Sequence, residues 1–207
     1  MTNLDPPSYE LLSLSVPLTD AHIHAYATLR LSALQTNPEC FSSTYERESA
    51  FTKAQWKERL NGMTGRATII ASTLSQEDSG FEWVGTVTII GHDILQTIPA
   101  QLPDIVSHMR EPTYAMVGMW VHPEHRRRGL GRKLVEGSFA WVRGNVAFNT
   151  NGNQRKILLL ETYRSNENAN ALYESMGFQQ VPGPLAGPEV PVRDTVWMVA
   201  YVEPQEP

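Results

Sequence analysis

The sequence predicts one mixed α/β (α+β) domain, and three observations support that class. Five segments rich in β-branched and aromatic residues, spread from 67 to 202, read as strands. Among them lie stretches whose apolar residues recur at steps of three and four, the period of a half-buried helix. The chain has 207 residues, 41% of them hydrophobic and 19% charged, enough for one substantial core. Residues 1–207 are therefore expected to form a single unit. Its centre is a mixed sheet of six to seven strands flanked by about four helices.

Each element has its own signal. Residues 8–14 predict a first strand. Thr19 is an N-cap residue type, and Ile23, Tyr26, Ala27, Leu31 and Leu34 then fall on one helix face, which Pro38 terminates. Thr52 and Gln55 have capping-box spacing, and Phe51 and Trp56 sit where a hydrophobic staple closes. Trp56, Leu60 and Met63 continue the buried face of that second helix. ATIIAST (67–73) and EWVGTVTII (82–90), joined by polar SQEDSG, predict a strand hairpin. Residues 92–112 are an irregular loop with Pro99, Pro103 and Pro112. A loop of that length is often functional. A strand at 114–121, a helix at 130–143, a strand at 156–162 and a helix at 167–176 follow. A Pro/Gly loop at 182–191 then leads to a last strand at 195–202. The βαβ unit at 114–162 predicts parallel pairing of its two strands.

Composition limits the function. Seventeen basic against 22 acidic residues, a net charge of −5, argues against a general nucleic-acid binder. No apolar run reaches the length of a membrane span, and the N-terminal residues have no signal-peptide pattern. The single cysteine, Cys40, allows no internal disulfide and fits a reducing compartment. A cytoplasmic location is the expectation, with neither nucleic acid nor membrane as partner.

Against that acidic background, VHPEHRRRGLGRKL (121–134) concentrates positive charge between a strand and a helix. A helix N-terminus carries unpaired N–H groups and about half a positive charge, so it attracts anions. Gly129 and Gly131 let backbone amides turn inward and a bulky anion approach. Arg126, Arg127 and Arg128 add charge-assisted hydrogen bonds to phosphate oxygens. Leu130, Leu134, Ser138 and Trp141 face the core and hold the helix. The stretch is no Walker A loop, since no Gly-Lys-Ser/Thr follows. It is no dinucleotide fingerprint either, since position 134 is Leu134 rather than glycine. A solvated basic turn is the plainer alternative.

A second stretch, LETYRSNENANALYESMGF (160–178), sets Asn166, Ala169 and Tyr173 on one helix face, with Gly177 at its C-terminus. Arg126-x-x-Gly129-x-Gly131 follows Val-x-Pro, and Asn-x-x-Ala-x-x-Leu-Tyr-x-x-x-Gly-Phe comes next in order. Together these motifs, spanning about 114–178, resemble the GNAT superfamily of acyl-CoA-dependent N-acyltransferases. The resemblance implies that residues 126–132, Leu130 and Arg132 included, cradle the pyrophosphate of coenzyme A. It implies that strand 114–121 splays from strand 156–162, with pantetheine pairing near Met119 and Val121. Asn166 and Ala169 would then touch the cofactor arm, and Tyr173 would sit beside the thioester sulfur. The implied cosubstrate is acetyl-CoA, with no metal.

The chemistry implied is attack of an amine on a thioester. A thiolate leaving group has a pKa of about 8.5 and tyrosine about 10, so full proton transfer from Tyr173 is uphill by about 2 kcal/mol at ordinary values. A hydrogen bond to the developing thiolate suffices, unless the site draws the two values together. A tyrosine that merely packs its ring is the alternative. Glu161 is the candidate base for the amine proton; its alternative role is to orient the site or a water chain. LETYRSNENANALYES is especially similar to bacterial ribosomal-protein N-terminal acetyltransferases, departing at Thr162 and Tyr163.

The acceptor, an amine-bearing molecule of unspecified identity, is expected opposite the cofactor. Tyr45, Glu46, Glu48, Asp93, Asp104, His108 and Glu111 frame that side, an acidic bias that suits a cationic amine and equally an ordinary soluble surface. The 182–191 loop is expected as a rim or a dimer contact, which leaves a homodimer open. His122 and His125 read as exposed loop histidines, and Trp120 as a core residue. Three alternatives stay open: another acyl-CoA, a non-catalytic acyl-CoA sensor, and a basic-patch interaction module.

Overall fold

The computed structural model describes residues 8–61, 65–74, 80–97, 110–146, 154–183 and 194–204. Its strands are β1 (Tyr9–Leu14), β2 (Arg66–Leu74), β3 (Phe81–Ile90), β4 (Thr113–Val121), β5 (Lys156–Tyr163), β6 (Gln179–Val181) and β7 (Thr195–Val202). Its helices are α1 (Asp20–Thr36), α2 (Tyr45–Ser49), α3 (Lys53–Asn61), α4 (His92–Leu95), α5 (Leu130–Gly144) and α6 (Glu167–Ser175). The strands make one seven-stranded sheet in the order β1-β2-β3-β4-β5-β7-β6. Every neighbouring pair is antiparallel except β4–β5. The fold is the predicted mixed α/β domain. The additions are β6 and the one-turn helices α2 and α4, all too short to leave a periodic signal.

The local signals act as their chemistry predicts. Thr19 accepts a hydrogen bond from the His22 N–H at 3.2 Å and starts α1. Gln55 accepts from the Thr52 N–H at 2.8 Å while Thr52 Oγ1 accepts from the Gln55 N–H at 3.3 Å, the reciprocal capping box. The Phe51 and Trp56 rings meet edge-on, centroids 5.3 Å apart. α1 ends at Thr36, and Pro38 opens a 3₁₀ turn, Pro38–Cys40. Met63, Pro99, Pro103 and the 75–79 connection lie outside the described residues.

Alternation along the strands buries apolar residues on both faces of the sheet. Ile69 packs beneath α5 with Val84, Leu134 and Leu158, whereas Ile70 packs beneath α1 and α3 with Ile23, Trp56 and Trp120. The stripe of α1 differs from expectation: Ala27 and Leu31 are half-buried, and Leu29, Arg30 and Ala33 are buried instead. A buried arginine on an apolar face needs a partner. Arg30 has one, Glu48 on α2, and that pair places α2 against α1.

α5 is locked at its C-terminus by Lys156, whose ammonium donates to the carbonyls of Val142 (2.9 Å), Arg143 (2.9 Å) and Asn145 (2.5 Å). Of those carbonyls Val142 also accepts the Asn145 N–H at 3.3 Å, and a cation suits that end of the dipole.

Candidate active site

β4 and β5 pair in parallel for only three residue pairs, Thr113–Ile157, Tyr114–Leu158 and Ala115–Leu159. Beyond Ala115 the strands part. The register of β4 against β3 shifts between Thr86 and Thr88, and Gly118 adopts φ +62°. This bulge bends β4 away from β5 and leaves Val117 and Gly118 exposed within an otherwise buried strand. The expected splay is therefore present, with Met119 and Val121 on its diverging arm.

A cavity of about 560 Å³ opens there, within the usual range for small-molecule sites. Met119, Glu161, Asn166 and Tyr173 line it, so the structure brings four of the sequence-predicted site residues together. Tyr173 is 7% exposed and donates its hydroxyl hydrogen to the Met119 thioether at 3.5 Å, a weak acceptor. Burial pushes the Tyr173 pKa well above the usual tyrosine value, and the nearby Cys40 thiol adds to the shift. The phenol is thus firmly protonated at neutral pH. The shift runs away from thiol values, so the site does not draw the two together. Glu161 is exposed and accepts from the Thr195 hydroxyl at 2.7 Å.

Asn166 caps α6 without a side-chain hydrogen bond to its backbone, and Nδ2 instead donates to Cys40 Sγ at 3.7 Å. Cys40 was read in the sequence only as a sign of compartment. It lines the cavity half-buried, and burial holds its thiol above the ordinary value and so uncharged. Ala169 packs half-buried against the α5-side core.

The arginine loop sits at the start of α5. Gly129 is its N-cap at φ +79°, and no side chain caps the helix. Arg127 is also left-handed, at φ +62°. Gly131 permits a close approach, since a Cβ there would meet Leu172 at 2.9 Å. Arg126 donates to the Val121 carbonyl (2.9 Å) and to Asn37 Oδ1 (2.5 Å), which also receives the Trp120 indole N–H at 3.1 Å. Arg127 reaches Asn168 at 2.7 Å, Arg128 reaches the Tyr9 hydroxyl at 3.1 Å, and Arg132 reaches Ser175 at 3.2 Å. Leu130 is buried and anchors the turn, and Trp120 is buried as expected. The anchor Asn37 has no sequence signal, since it lies 89 residues from Arg126.

The acidic frame behaves differently from its expectation. Among its described members only Glu48 lines the cavity, and it is wholly buried in an ion pair. Arg30 grips its carboxylate with Nε and Nη2, both at 3.0 Å, and Arg59 approaches at 3.3 Å. Burial alone raises the Glu48 pKa, but hydrogen bonds from Arg30 and Ser43 and the charges of Arg30 and Arg59 outweigh it. The carboxyl stays below its ordinary value. Glu111 pairs with Arg155 at 2.6 Å. Asp104, His108 and most of the 182–191 loop lie outside the described residues.

His122 and His125 are half-buried rather than exposed, because their rings pack against Trp120, each other and Tyr9. With Glu124 they bring three donor atoms within 4.8 Å of one another. Burial lowers the His125 pKa. Among the described residues no helix is long and apolar enough to cross a membrane.

The model of the acetyltransferase (GNAT) family matches residues 32–178. The chain belongs to this family. No curated protein matches its sequence significantly. GNAT structures overlay most of it at low identity. NAA60 from Arabidopsis thaliana, in complex with acetyl-CoA, shares 15% identity at a TM-score of 0.58 over 94% of this chain and 99% of that one. Spermidine N-acetyltransferase from Vibrio cholerae, with CoA and spermine, shares 14% at 0.58 over 94% and 95%. A ribosomal-protein-alanine N-acetyltransferase from Escherichia coli shares 16% at 0.52 over 96% and 97%. At these identities the likeness is one of fold.

Proposed function

We propose that the whole chain acts as one N-acetyltransferase, moving an acetyl group from acetyl-CoA to a primary amine by direct attack on the thioester. The observation that carries this reading is the parting of β4 from β5 over a cavity that holds the protonated Tyr173 hydroxyl. The residues present fit the cosubstrate. The α5 N-terminus is uncapped by any side chain, and Arg126, Arg127, Arg128 and Arg132 surround it with Gly129, Leu130 and Gly131. They would hold the pyrophosphate, because amide N–H groups and guanidinium forks both donate to phosphate oxygens. The diverging backbone at Met119 and Val121 would pair with the pantetheine amides, and Asn166 and Ala169 would flank that arm.

Tyr173 donates a hydrogen bond to the departing sulfur. Its raised pKa makes complete proton transfer still more uphill than at ordinary values, so stabilisation of the thiolate charge is its contribution. The amine must lose a proton to attack, and a lysine-like amine costs roughly 4–5 kcal/mol to deprotonate at pH 7. Glu161, held by Thr195, accepts that proton directly or through water.

The test combines calorimetric titration of acetyl-CoA with thiol release across an amine panel. We expect Arg126→Ala/Arg128→Ala to weaken acetyl-CoA binding about tenfold or more. We expect Tyr173→Phe to lower kcat about a hundredfold while acetyl-CoA affinity moves far less. We expect Glu161→Gln to lower kcat while acetyl-CoA affinity moves far less. Absence of CoA binding in the wild type would overturn the reading.

A further inference from the structure

The inner wall of the cavity carries an excess of positive charge. Among the described residues Arg30, Arg47, Arg59 and Arg66 line it, against two carboxylates, Glu48 and Glu161. Glu48 is consumed by Arg30 and Arg59, and Glu161 is engaged by Thr195. Arg66, the first residue of β2, is half-buried, and it has no carboxylate partner among the described residues. Its Nη1 donates to the Arg59 carbonyl at 2.6 Å, which fixes the guanidinium plane, and its buried Nε has no partner. A desolvated guanidinium without a counter-ion is costly, and such cost persists where a ligand supplies the charge.

Resting on the acetyl-transfer reading, we infer that the acceptor is a small amine that also carries a carboxylate, and that Arg66 receives this carboxylate. A guanidinium fork matches a carboxylate in plane, which fixes the amine's approach as well as its identity. Polyamines are disfavoured by the same wall, since a second cation would meet Arg59 and Arg66 with Glu48 already paired.

The experiment is a thiol-release comparison, with saturating acetyl-CoA, of common α-amino acids against their carboxamides, spermidine, and a short peptide with an amidated C-terminus. The expected result is a kcat/KM for one or more amino acids about ten- to a hundredfold above the matching carboxamide. The free acid is the more basic amine, so this preference runs against its smaller neutral fraction. In Arg66→Gln the ratio collapses through KM for the acid, and Arg66→Lys restores part of it. Acetyl-CoA calorimetry on each variant checks that it is folded. Equal turnover of acids and amides, or turnover of spermidine or the peptide alone, overturns the carboxylate inference and leaves acetyl transfer standing. Bound acetyl-CoA with no turnover of any amine overturns both.

Discussion

At the scale of single residues, Arg30 and Glu48 show how a charge is made tolerable inside a protein. Replacing Glu48 by Gln removes a carboxylate from two guanidiniums and leaves Arg30 buried without its counter-charge. The expected cost is about 3 kcal/mol, measurable by chemical denaturation at neutral pH. The acid dependence follows from the direction of the Glu48 shift. Its folded pKa lies below its unfolded value, so its stabilisation is full above about 4.5 and is lost as pH falls through the folded value. Denaturation midpoints of wild type and Glu48→Gln are therefore expected to converge below pH 4.5. The sequence contained a trace of this pair. Arg30 falls four positions after Tyr26 and three before Ala33, on the very face that packs inward. Glu48 gave no such trace, because its role depends on a one-turn helix. Tyr173 and Asn166 were legible, since helical spacing alone puts them on one face; Cys40 and Asn37 were not, since their partners are distant in sequence.

Among the elements, α5 illustrates what a motif shows and what it hides. Its arginine-glycine start was readable because turn, charge and apolar stripe occur within fourteen residues (121–134). Its other end is held by Lys156, the first residue of β5, which is 2% exposed. Lys156→Met fills similar volume but removes donors from three carbonyls. We expect a loss of about 2 kcal/mol in thermal or urea unfolding, with melting of the α5 C-terminus preceding the rest. Five of the six longer strands were legible from runs rich in β-branched and aromatic residues, while β1, with none of the β-branched types, was read without that signal. The three-residue β6 and the helices α2 and α4 were not, because period 2 and period 3.6 need more residues than they contain.

For the molecule as a whole, topology followed from ordinary rules. Neighbours in sequence pair antiparallel from β1 to β4 and again in β6–β7, the helical crossover from β4 to β5 yields the one parallel contact, and β7 returns antiparallel between β5 and β6. The bulge at Gly118 was invisible in advance, because a glycine in a strand signals irregularity without its direction. The charge of the cavity lining was not legible for a related reason: counting nearby carboxylates does not show that Glu48 is already paired with Arg30 and Arg59.

The parting of β4 from β5 also has a dynamic consequence. A central strand normally protects its amides on both sides, and they exchange with solvent only on global unfolding. In β4 the amides after Ala115 that point away from β3 have no strand opposite them among the described residues. They should take up deuterium within seconds in the free protein, although their neighbours in β3 and β5 remain protonated for hours. Acetyl-CoA should slow these same amides selectively, giving each residue of the groove its own signal of occupancy without any turnover. Uniform slow exchange along the whole of β4 would mean that the two strands close upon each other in solution.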